Sequence, residues 1–125
     1  MSTTRVTETM FDPGETLLAI YPFTDHSSQK LRPILVVSRK EFNQGTDFVS
    51  VPLSSQVRSS DRFAIVLRDS EPWFAQTGLR LSSAVKWTKP MTLTAVVVQR
   101  RLGKLPDDVF AEIARKVQSL FAPPD

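Results

Sequence analysis

Short runs of apolar and β-branched residues alternate along the chain with polar loops. Runs of this kind predict strands, because β-branched and aromatic side chains fit a pleated, half-buried surface. The predicted strands cover residues 16–21, 33–38, 47–53, 62–67, 79–87 and 91–102. The run at 33–38 (PILVVS) is apolar almost throughout, which predicts a strand buried on both faces. Pro52 marks the end of the third strand or an edge position, since proline cannot donate to a ladder.

The hydrophobic period changes near the C-terminus to that of a helix. Pro106 stands where a first helical residue belongs, and Asp107 and Asp108 favour the positive end of the helix dipole. The apolar face of the predicted helix, 106–121, consists of Val109, Phe110, Ile113, Val117, Leu120 and Phe121. The whole pattern predicts a mainly β domain over residues 12–122, in which about six short strands close as a small barrel and one C-terminal α-helix packs on it.

Composition narrows the chemistry that such a domain can support. The chain has 125 residues, no cysteine and a single histidine, His26. These counts exclude a disulfide scaffold, a thiolate zinc site and a histidine-rich metal cluster. No apolar run approaches the roughly 20 residues that span a bilayer. Residues 1–11 are predicted to be flexible and lack the apolar region of a signal peptide, so we expect a cytoplasmic protein without a metal and without membrane contact.

Charge is distributed unevenly, although the formal net charge is only +3. Residues 80–104, called the basic stretch below, contain no acid and six cations: Arg80, Lys86, Lys89, Arg100, Arg101 and Lys104. Residues 1–25 contain four acids and one cation. This asymmetry predicts a basic face that attracts phosphates or an acidic protein partner. It is also typical of solvated strand ends that are protected by lysine and arginine.

Candidate chemistry is concentrated in two polar loops that adjoin apolar strands. The sequence has no phosphate-binding glycine loop, no dinucleotide-binding glycine pattern and no zinc-protease motif, and one histidine limits any serine triad. The first loop ends at residues 29–33 (QKLRP), and the second begins within residues 51–56 (VPLSSQ).

The order of these motifs resembles that of the MazF/PemK toxins of bacterial toxin–antitoxin pairs. The matching segments are 12–15 (DPGE), His26, 30–38 (KLRPILVVS) and 51–55 (VPLSS). The resemblance implies a small SH3-like barrel, usually a homodimer, that cuts single-stranded RNA without a metal or another cofactor. It also implies an acidic, partly disordered antitoxin as the protein partner.

The resemblance further implies roles for individual residues. Arg32 corresponds to the family's catalytic arginine, and its guanidinium can hold two phosphate oxygens at once. Ser54 stands where the family usually has a threonine, and either hydroxyl can donate to a phosphate oxygen. His26 can act as a base or an acid near neutral pH, or it can be a solvent-exposed loop residue without a role. The residues predicted to bind RNA are Lys30, Ser55, Gln56, Lys86, Thr88 and Lys89.

Three positions in the later strands depart from the family pattern. Lys86 and Met91 each stand where an arginine is common, and Thr88 stands where an aspartate can act as a base. A catalytically degenerate barrel that binds RNA or protein therefore stays an alternative. A gyrase poison of the related CcdB branch is another, although the chain lacks that branch's exposed Trp-x-x-Ile-like helix tip. Trp87 can stack on a base of single-stranded RNA or lie in the core, and the core position is the favoured interpretation. Phe42, Phe48, Phe63 and Phe110 are assigned to the core or a dimer interface.

Overall fold

Seven strands and one α-helix make up the fold in a computed structural model, which describes residues 10–21 and 30–124. The strands are β1 (Glu15–Tyr21), β2 (Lys30–Val36), β3 (Asp47–Ser54), β4 (Ile65–Leu67), β5 (Ser83–Val85), β6 (Met91–Thr94) and β7 (Val98–Lys104). Helix α1 spans Asp107–Ser119, and 3-10 helices occur at Phe42–Gln44, Phe74–Thr77 and Ala95–Val97. The predictions for His26 and for residues 1–9 lie outside the described residues. In the described ranges, no helix has the length and apolar character to cross a membrane.

The strands pair antiparallel in the order β4–β5–β3–β2–β1–β7, and β6 pairs with β3 off this path. β1 lies between β2 and β7, so Leu18 faces Pro33 on one side and Arg100 on the other. The prediction of a mainly β fold with one C-terminal helix is confirmed. Within the described ranges no pairing joins β4 to β7, so the sheet is not closed into the ring that a full barrel requires.

Pro52 does not end its strand. β3 continues to Ser54, and Pro52 pairs with Ile34 of β2. On its other side β3 changes partner near this residue, because the segment up to Ser50 pairs with β6 while Leu53 and Ser54 pair with β5. A residue without an N–H is tolerated where a ladder is interrupted in this way.

Two hydrophobic cores lie on opposite faces of the sheet, since successive side chains of a strand point to opposite sides. The first contains Phe11, Leu17, Ile34, Phe48 and Val98 among its buried residues. The second contains Leu35, Val51, Leu67, Trp87 and Ile113, and it is covered by α1. β2 thus contributes to both cores, as its apolar run predicts. Phe11, which the sequence placed in the flexible N-terminal segment, is fully buried and packs edge-on against Phe48 at 5.0 Å between ring centroids.

Three predicted strands are shorter or more broken than expected, because local hydrogen bonds replace ladder bonds. The Asp61 carboxylate accepts from the backbone N–H of Phe63 at 2.9 Å, and β4 begins only at Ile65. The Thr77 hydroxyl accepts from the N–H of Leu79 at 3.1 Å, and β5 begins only at Ser83. The single strand predicted over 91–102 is divided into β6 and β7 by the 3-10 helix Ala95–Val97.

The C-terminal helix has 13 residues and packs one apolar face against the second core. Pro106 is its N-cap rather than its first residue, and Asp107 and Asp108 lie in the first turn as predicted. Ile113 is buried, and Val109, Phe110 and Val117 pack against the second core. Leu120 and Phe121 lie beyond the helix and are exposed, so the predicted apolar face is only partly covered.

Of the five aromatic residues assigned from the sequence, three lie in or against the core and two are exposed. Trp87 and Phe48 are buried, and Phe110 is partly buried against the second core. Phe42 and Phe63 are 52% and 48% exposed, so neither belongs to the core of this chain. Phe63 does contact Trp87, with ring centroids 5.9 Å apart, and thereby shields one side of the buried indole.

Candidate RNA-binding groove

A groove of about 500 Å³ lies where the ends of β1, β2 and β3 meet the connection between β5 and β6. We call it the main groove. It brings together most of the residues that the sequence assigned to catalysis or RNA binding, namely Arg32, Ser54, Ser55, Gln56, Lys86 and Lys89. Tyr21, Pro52 and Met91 are among its other walls. Residues from four separate stretches of the chain therefore converge on one concave surface, as binding sites commonly do.

Backbone pairing sets the positions of these side chains. Arg32 pairs with Ala19 in the ladder between β1 and β2, two residues from the pair formed by Lys30 and Tyr21. The N–H of Lys86 donates to the carbonyl of Pro52 at 3.0 Å, which joins the β5 end of the groove to β3. On the far side, the Ser50 hydroxyl donates to the carbonyl of Met91 at 3.2 Å. The groove thus combines strand residues, which are held more rigidly than loop residues, with the turn after β3 and the connection between β5 and β6.

Ser54 is held by the turn that follows β3. Its Oγ accepts from the backbone N–H of Gln56 at 3.1 Å, a local turn bond typical of serine. A hydroxyl oxygen that accepts in this way still carries its own hydrogen for donation. Ser54 can therefore present an O–H to an anion in the groove, whereas Ser55 and Gln56 are exposed on the same turn.

Lys86 is engaged by a carboxylate that the sequence analysis did not connect with it. Its Nζ lies 2.7 Å from Oδ2 of Asp61, and each of the two side chains is about one quarter exposed. The hydrogen bond from Lys86, followed by that from the Phe63 N–H, holds the pKa of Asp61 below its ordinary value. Asp61 is therefore ionised at neutral pH, and it offsets much of the positive charge that Lys86 brings to the groove.

Tyr21 is the groove residue that sequence reasoning missed. It ends β1, it is 93% buried, since only 7% of its surface is exposed, and it lines the groove together with Arg32. Burial raises the pKa of its phenol, so the group stays protonated and can donate a hydrogen bond. A tyrosine at the end of an apolar run looks like a core residue in the sequence. Its place in the groove follows from the pairing of β1 with β2, the strand that carries Arg32.

Three residues predicted for the site are not among the groove's lining residues. Lys30 is exposed at the first position of β2, where it pairs with Tyr21, a residue that does line the groove. Thr88 is half-buried beside Trp87 and does not line the groove among the described residues. His26 lies outside the described residues, so its predicted role remains a prediction. Of the three departures from the family pattern, Lys86 and Met91 do line the groove.

The basic stretch divides in three dimensions into two sets of cations. In the paired set, Lys86 contacts Asp61, Arg101 contacts Glu15 at 2.9 Å, and Lys104 lies 3.7 Å from Asp12. The open set consists of Arg80, Lys89 and Arg100, none of which forms an ion pair within the described residues. Two acids near the N-terminus, Asp12 and Glu15, and one from the middle of the chain, Asp61, therefore pair with cations of the basic stretch, which contains no acid of its own.

No group of three or more His, Asp or Glu side chains that could hold a metal ion occurs in the part of the chain that the structure describes. The groove instead offers one guanidinium, two ammonium groups, hydroxyls and an amide. Such a set binds phosphate oxygens by charge and by hydrogen bonds.

The fold and the groove can be compared with known proteins. A family model described as the PemK-like, MazF-like toxin of type II toxin–antitoxin systems matches residues 13–121. The chain belongs to this toxin family. Taken singly, the Arg-Pro segment and the Pro-Leu-Ser-Ser segment of this PemK/MazF toxin are weak motifs. In the folded chain, residues of both segments line the main groove. A search of curated protein sequences gave no match.

Solved structures of a MazF protein and of mycobacterial endoribonucleases share the fold of this chain. An endoribonuclease from a mycobacterial species is similar at a TM-score of 0.68 and 19% identity, over 96% of this chain and 100% of that chain. MazF from Deinococcus radiodurans is similar at a TM-score of 0.67 and 24% identity, over 90% of this chain and 96% of that chain. A mycobacterial endoribonuclease in complex with its cognate antitoxin is similar at a TM-score of 0.65 and 18% identity, over 93% and 98% of the two chains.

Proposed function

We propose that this toxin is a metal-independent endoribonuclease that cleaves single-stranded RNA in the main groove. The observation that carries the proposal is the convergence of Arg32, Ser54 and Lys86 on one concave surface. Membership of the toxin family and similarity to two mycobacterial endoribonucleases support the same activity. Because its substrate is cellular RNA, we expect the toxin to act in the cytoplasm.

Cleavage proceeds by attack of a ribose 2′-oxygen on the adjacent phosphorus. The bond from phosphorus to the 5′-oxygen of the next nucleotide breaks, which leaves a 2′,3′-cyclic phosphate and a 5′-hydroxyl. A base removes the proton of the 2′-hydroxyl, and an acid supplies one to the leaving 5′-oxygen. The negative charge that develops on the phosphate oxygens must be stabilised by groups already in position.

We assign these tasks to particular side chains of the groove. Arg32 stabilises the charge on two phosphate oxygens, since a guanidinium is too weak an acid to be the first choice for proton transfer. The Ser54 hydroxyl donates to a further phosphate oxygen, and Lys89 attracts the strand. His26 is the proposed base or acid, because imidazole can exchange a proton near neutral pH.

The test is incubation of the purified protein with a long unstructured RNA, with and without EDTA. We expect discrete cuts in both conditions, with cyclic phosphate at the new 3′ ends. Arg32→Ala should lower kcat by roughly 10²–10³-fold, the usual cost of removing one donor to a developing oxyanion. Arg115→Ala, an exposed change on α1, is the matched control. Cuts that survive Arg32→Ala unchanged would contradict the proposal.

A second candidate is a domain that binds RNA or protein without cleaving it. Met91 at the groove and the engagement of Lys86 by Asp61 favour this candidate, because both reduce the positive charge that faces a phosphate. Binding of RNA without any cleavage, under conditions in which a known MazF toxin cuts, would establish it.

We further propose that an acidic antitoxin binds across the basic stretch and the loop at residues 54–61, and that the toxin is a homodimer. The antitoxin complex of the mycobacterial endoribonuclease supports a partner of this kind. A synthetic acidic peptide from the cognate antitoxin should compete with RNA, and competition should weaken as salt is raised. Sedimentation equilibrium gives the mass of the assembly directly.

A further inference from the structure

A second, smaller hollow adjoins the main groove, and nothing in the proposed reaction uses it. Its volume is about 210 Å³. Arg32 and Ser55 line both the hollow and the main groove, so the two are continuous at the proposed catalytic arginine. A strand bound at Arg32 can therefore extend into this second space.

The hollow combines an apolar floor with a positively charged rim. Leu18 and Pro33 form a pair in the ladder between β1 and β2, and Leu102 of β7 completes the floor. Arg80 and Arg100 line the rim, and no carboxylate lies among the residues that line the hollow. An apolar surface flanked by guanidinium groups suits a nucleobase, which stacks on apolar or guanidinium planes, next to a phosphate that binds arginine.

Both rim arginines are available for a ligand. They belong to the open set and form no ion pair with any described residue. Arg101, which follows Arg100 directly, is engaged by Glu15 at 2.9 Å. A carboxylate thus reaches β7 at Arg101, but among the described residues none pairs with Arg100 or Arg80 at the rim of the hollow.

The segment that carries Arg80 is held firmly against the sheet. Gly78 adopts a φ of +70°, and a Cβ on it would lie 2.1 Å from the carbonyl oxygen of Leu102. A Cβ on Gly103 would likewise lie 2.1 Å from the carbonyl oxygen of Gln76. The Thr16 hydroxyl donates to the carbonyl of Thr77 at 2.6 Å in the buried interior. Only glycine permits the close backbone approaches at positions 78 and 103. Together with the Thr16 hydrogen bond, they fix the wall of the hollow before any ligand binds.

We propose that this hollow binds one nucleotide of the same RNA strand, adjacent to the reacting phosphate, with its base on the apolar floor and its phosphate at Arg80 and Arg100. The proposal rests on the proposed function, because it extends the RNA site beyond the catalytic groove. It makes Arg80 and Arg100 binding residues that set how much of the strand the toxin reads. The charge complementarity and the continuity with the groove favour RNA over a second copy of the chain.

The experiment first maps a cleavage site with the wild-type protein. A nine-nucleotide RNA centred on that site, with a 2′-deoxy sugar at the attacking position, then serves as an uncleavable probe. Two shorter probes lack the nucleotides on one side or the other of the scissile phosphate. Fluorescence anisotropy measures the affinity of each probe for the wild type, for the double variant Arg80→Ala/Arg100→Ala and for the control Arg115→Ala.

We expect the double variant to bind the full probe roughly tenfold more weakly than the wild type, since hydrogen bonds to charged groups are lost. On one of the two shortened probes the double variant and the wild type should bind equally, because the nucleotide that the hollow holds is absent. The dependence of log affinity on log salt should become shallower by roughly 0.7 for each phosphate contact that is lost. Arg115→Ala should match the wild type on all three probes.

The outcomes separate this proposal from the proposed function. A wild type that neither cuts nor binds RNA overturns the proposed function itself. A different result would overturn only the proposal for the hollow. In that result the wild type cuts RNA, Arg32→Ala loses the activity, and the double variant binds every probe as tightly as the wild type does. A change in the sedimentation mass of the double variant, with RNA affinity intact, would assign the hollow to contact between two copies instead.

Discussion

The paired and open sets of cations lie in one acid-free stretch of sequence, yet they have different partners in the folded molecule. Lys86, Arg101 and Lys104 each contact a carboxylate from elsewhere in the chain. Arg80, Lys89 and Arg100 have none among the described residues, and each lines the main groove or the hollow. Charge counted along a sequence therefore overstates the charge that a phosphate ligand meets.

The position of β1 explains the division among the three cations of β7. β1 lies between β2 and β7, and Glu15 at its start pairs with Lys104 in the β1–β7 ladder. This register places the acids near the N-terminus beside the end of β7, where Arg101 and Lys104 lie. Arg100, the residue before Arg101, pairs with Leu18 and meets the hollow instead. Alternation along a strand thus sends neighbouring cations to different environments.

The largest expected effect is on stability at the paired set. The Glu15 side chain is only 10% exposed, and it accepts from Arg101 and from the backbone N–H of Asp12. Arg101→Ala leaves that carboxylate buried and also removes a guanidinium that lies 4.7 Å from the Phe11 ring centroid. We expect the free energy of unfolding to fall by about 2 kcal/mol, measured by urea denaturation. Arg100→Ala should stay within about 0.5 kcal/mol of the wild type, and equal losses for the two variants would abolish the distinction.

A smaller effect, on RNA affinity, is expected when a cation of the paired set loses its acid partner. Asp61→Asn keeps the side-chain oxygen that accepts from Phe63 but removes the charge that engages Lys86. We expect RNA affinity to rise several-fold and the salt slope to steepen by roughly 0.7, because Lys86 becomes free to contact a phosphate. Fluorescence anisotropy over a range of salt concentrations measures both. An unchanged slope would mean that Lys86 does not face RNA even without its partner.

A comparison of two lysines tests whether the open set alone attracts RNA. Lys89→Ala should weaken RNA binding a few-fold, because Lys89 lines the main groove and has no acid partner in the described ranges. Lys104→Ala should leave RNA binding unchanged, since Lys104 lies near Asp12 and lines neither space. Filter binding at low salt is sufficient to rank the two variants. Equal losses would show that total charge, not its placement, governs binding.

The smallest expected effect is that of pH on the ion pair between Asp61 and Lys86. The pKa of Asp61 is lowered below its ordinary value of 3.8, so its pairing with Lys86 contributes stability that is present above that value and lost as pH falls through the folded-state pKa. We therefore expect no change in the pair between pH 5 and 8. Carboxyl carbon shifts in NMR should titrate below 3.8 in the wild type and move toward that value in Lys86→Met. A midpoint above 3.8 in the wild type would contradict the ion pair.

Much of the candidate site could be predicted from the sequence because its residues lie in two short motifs. Arg32 precedes Pro33 at a strand and Ser54 follows an apolar run. Their types and order carry the resemblance to the toxin family, and that resemblance implies phosphate chemistry. Tyr21 could not be predicted in this way, because its place at the groove depends on the pairing of β1 with β2, the strand that carries Arg32. Thr88 was predicted to bind RNA because it stands where the family can have an aspartate, but it is not among the described residues that line the groove.

The sequence by itself determined the family, the mainly β fold with its C-terminal helix, and the segments that supply the groove, because each depends on local pattern and residue type. Only the tertiary structure decided which cations remain open. The contact of Arg101 with Glu15 spans 86 positions, and that of Lys86 with Asp61 spans 25. Electrostatic interaction depends on distance and exposure in the folded molecule, which the linear order of the residues does not encode.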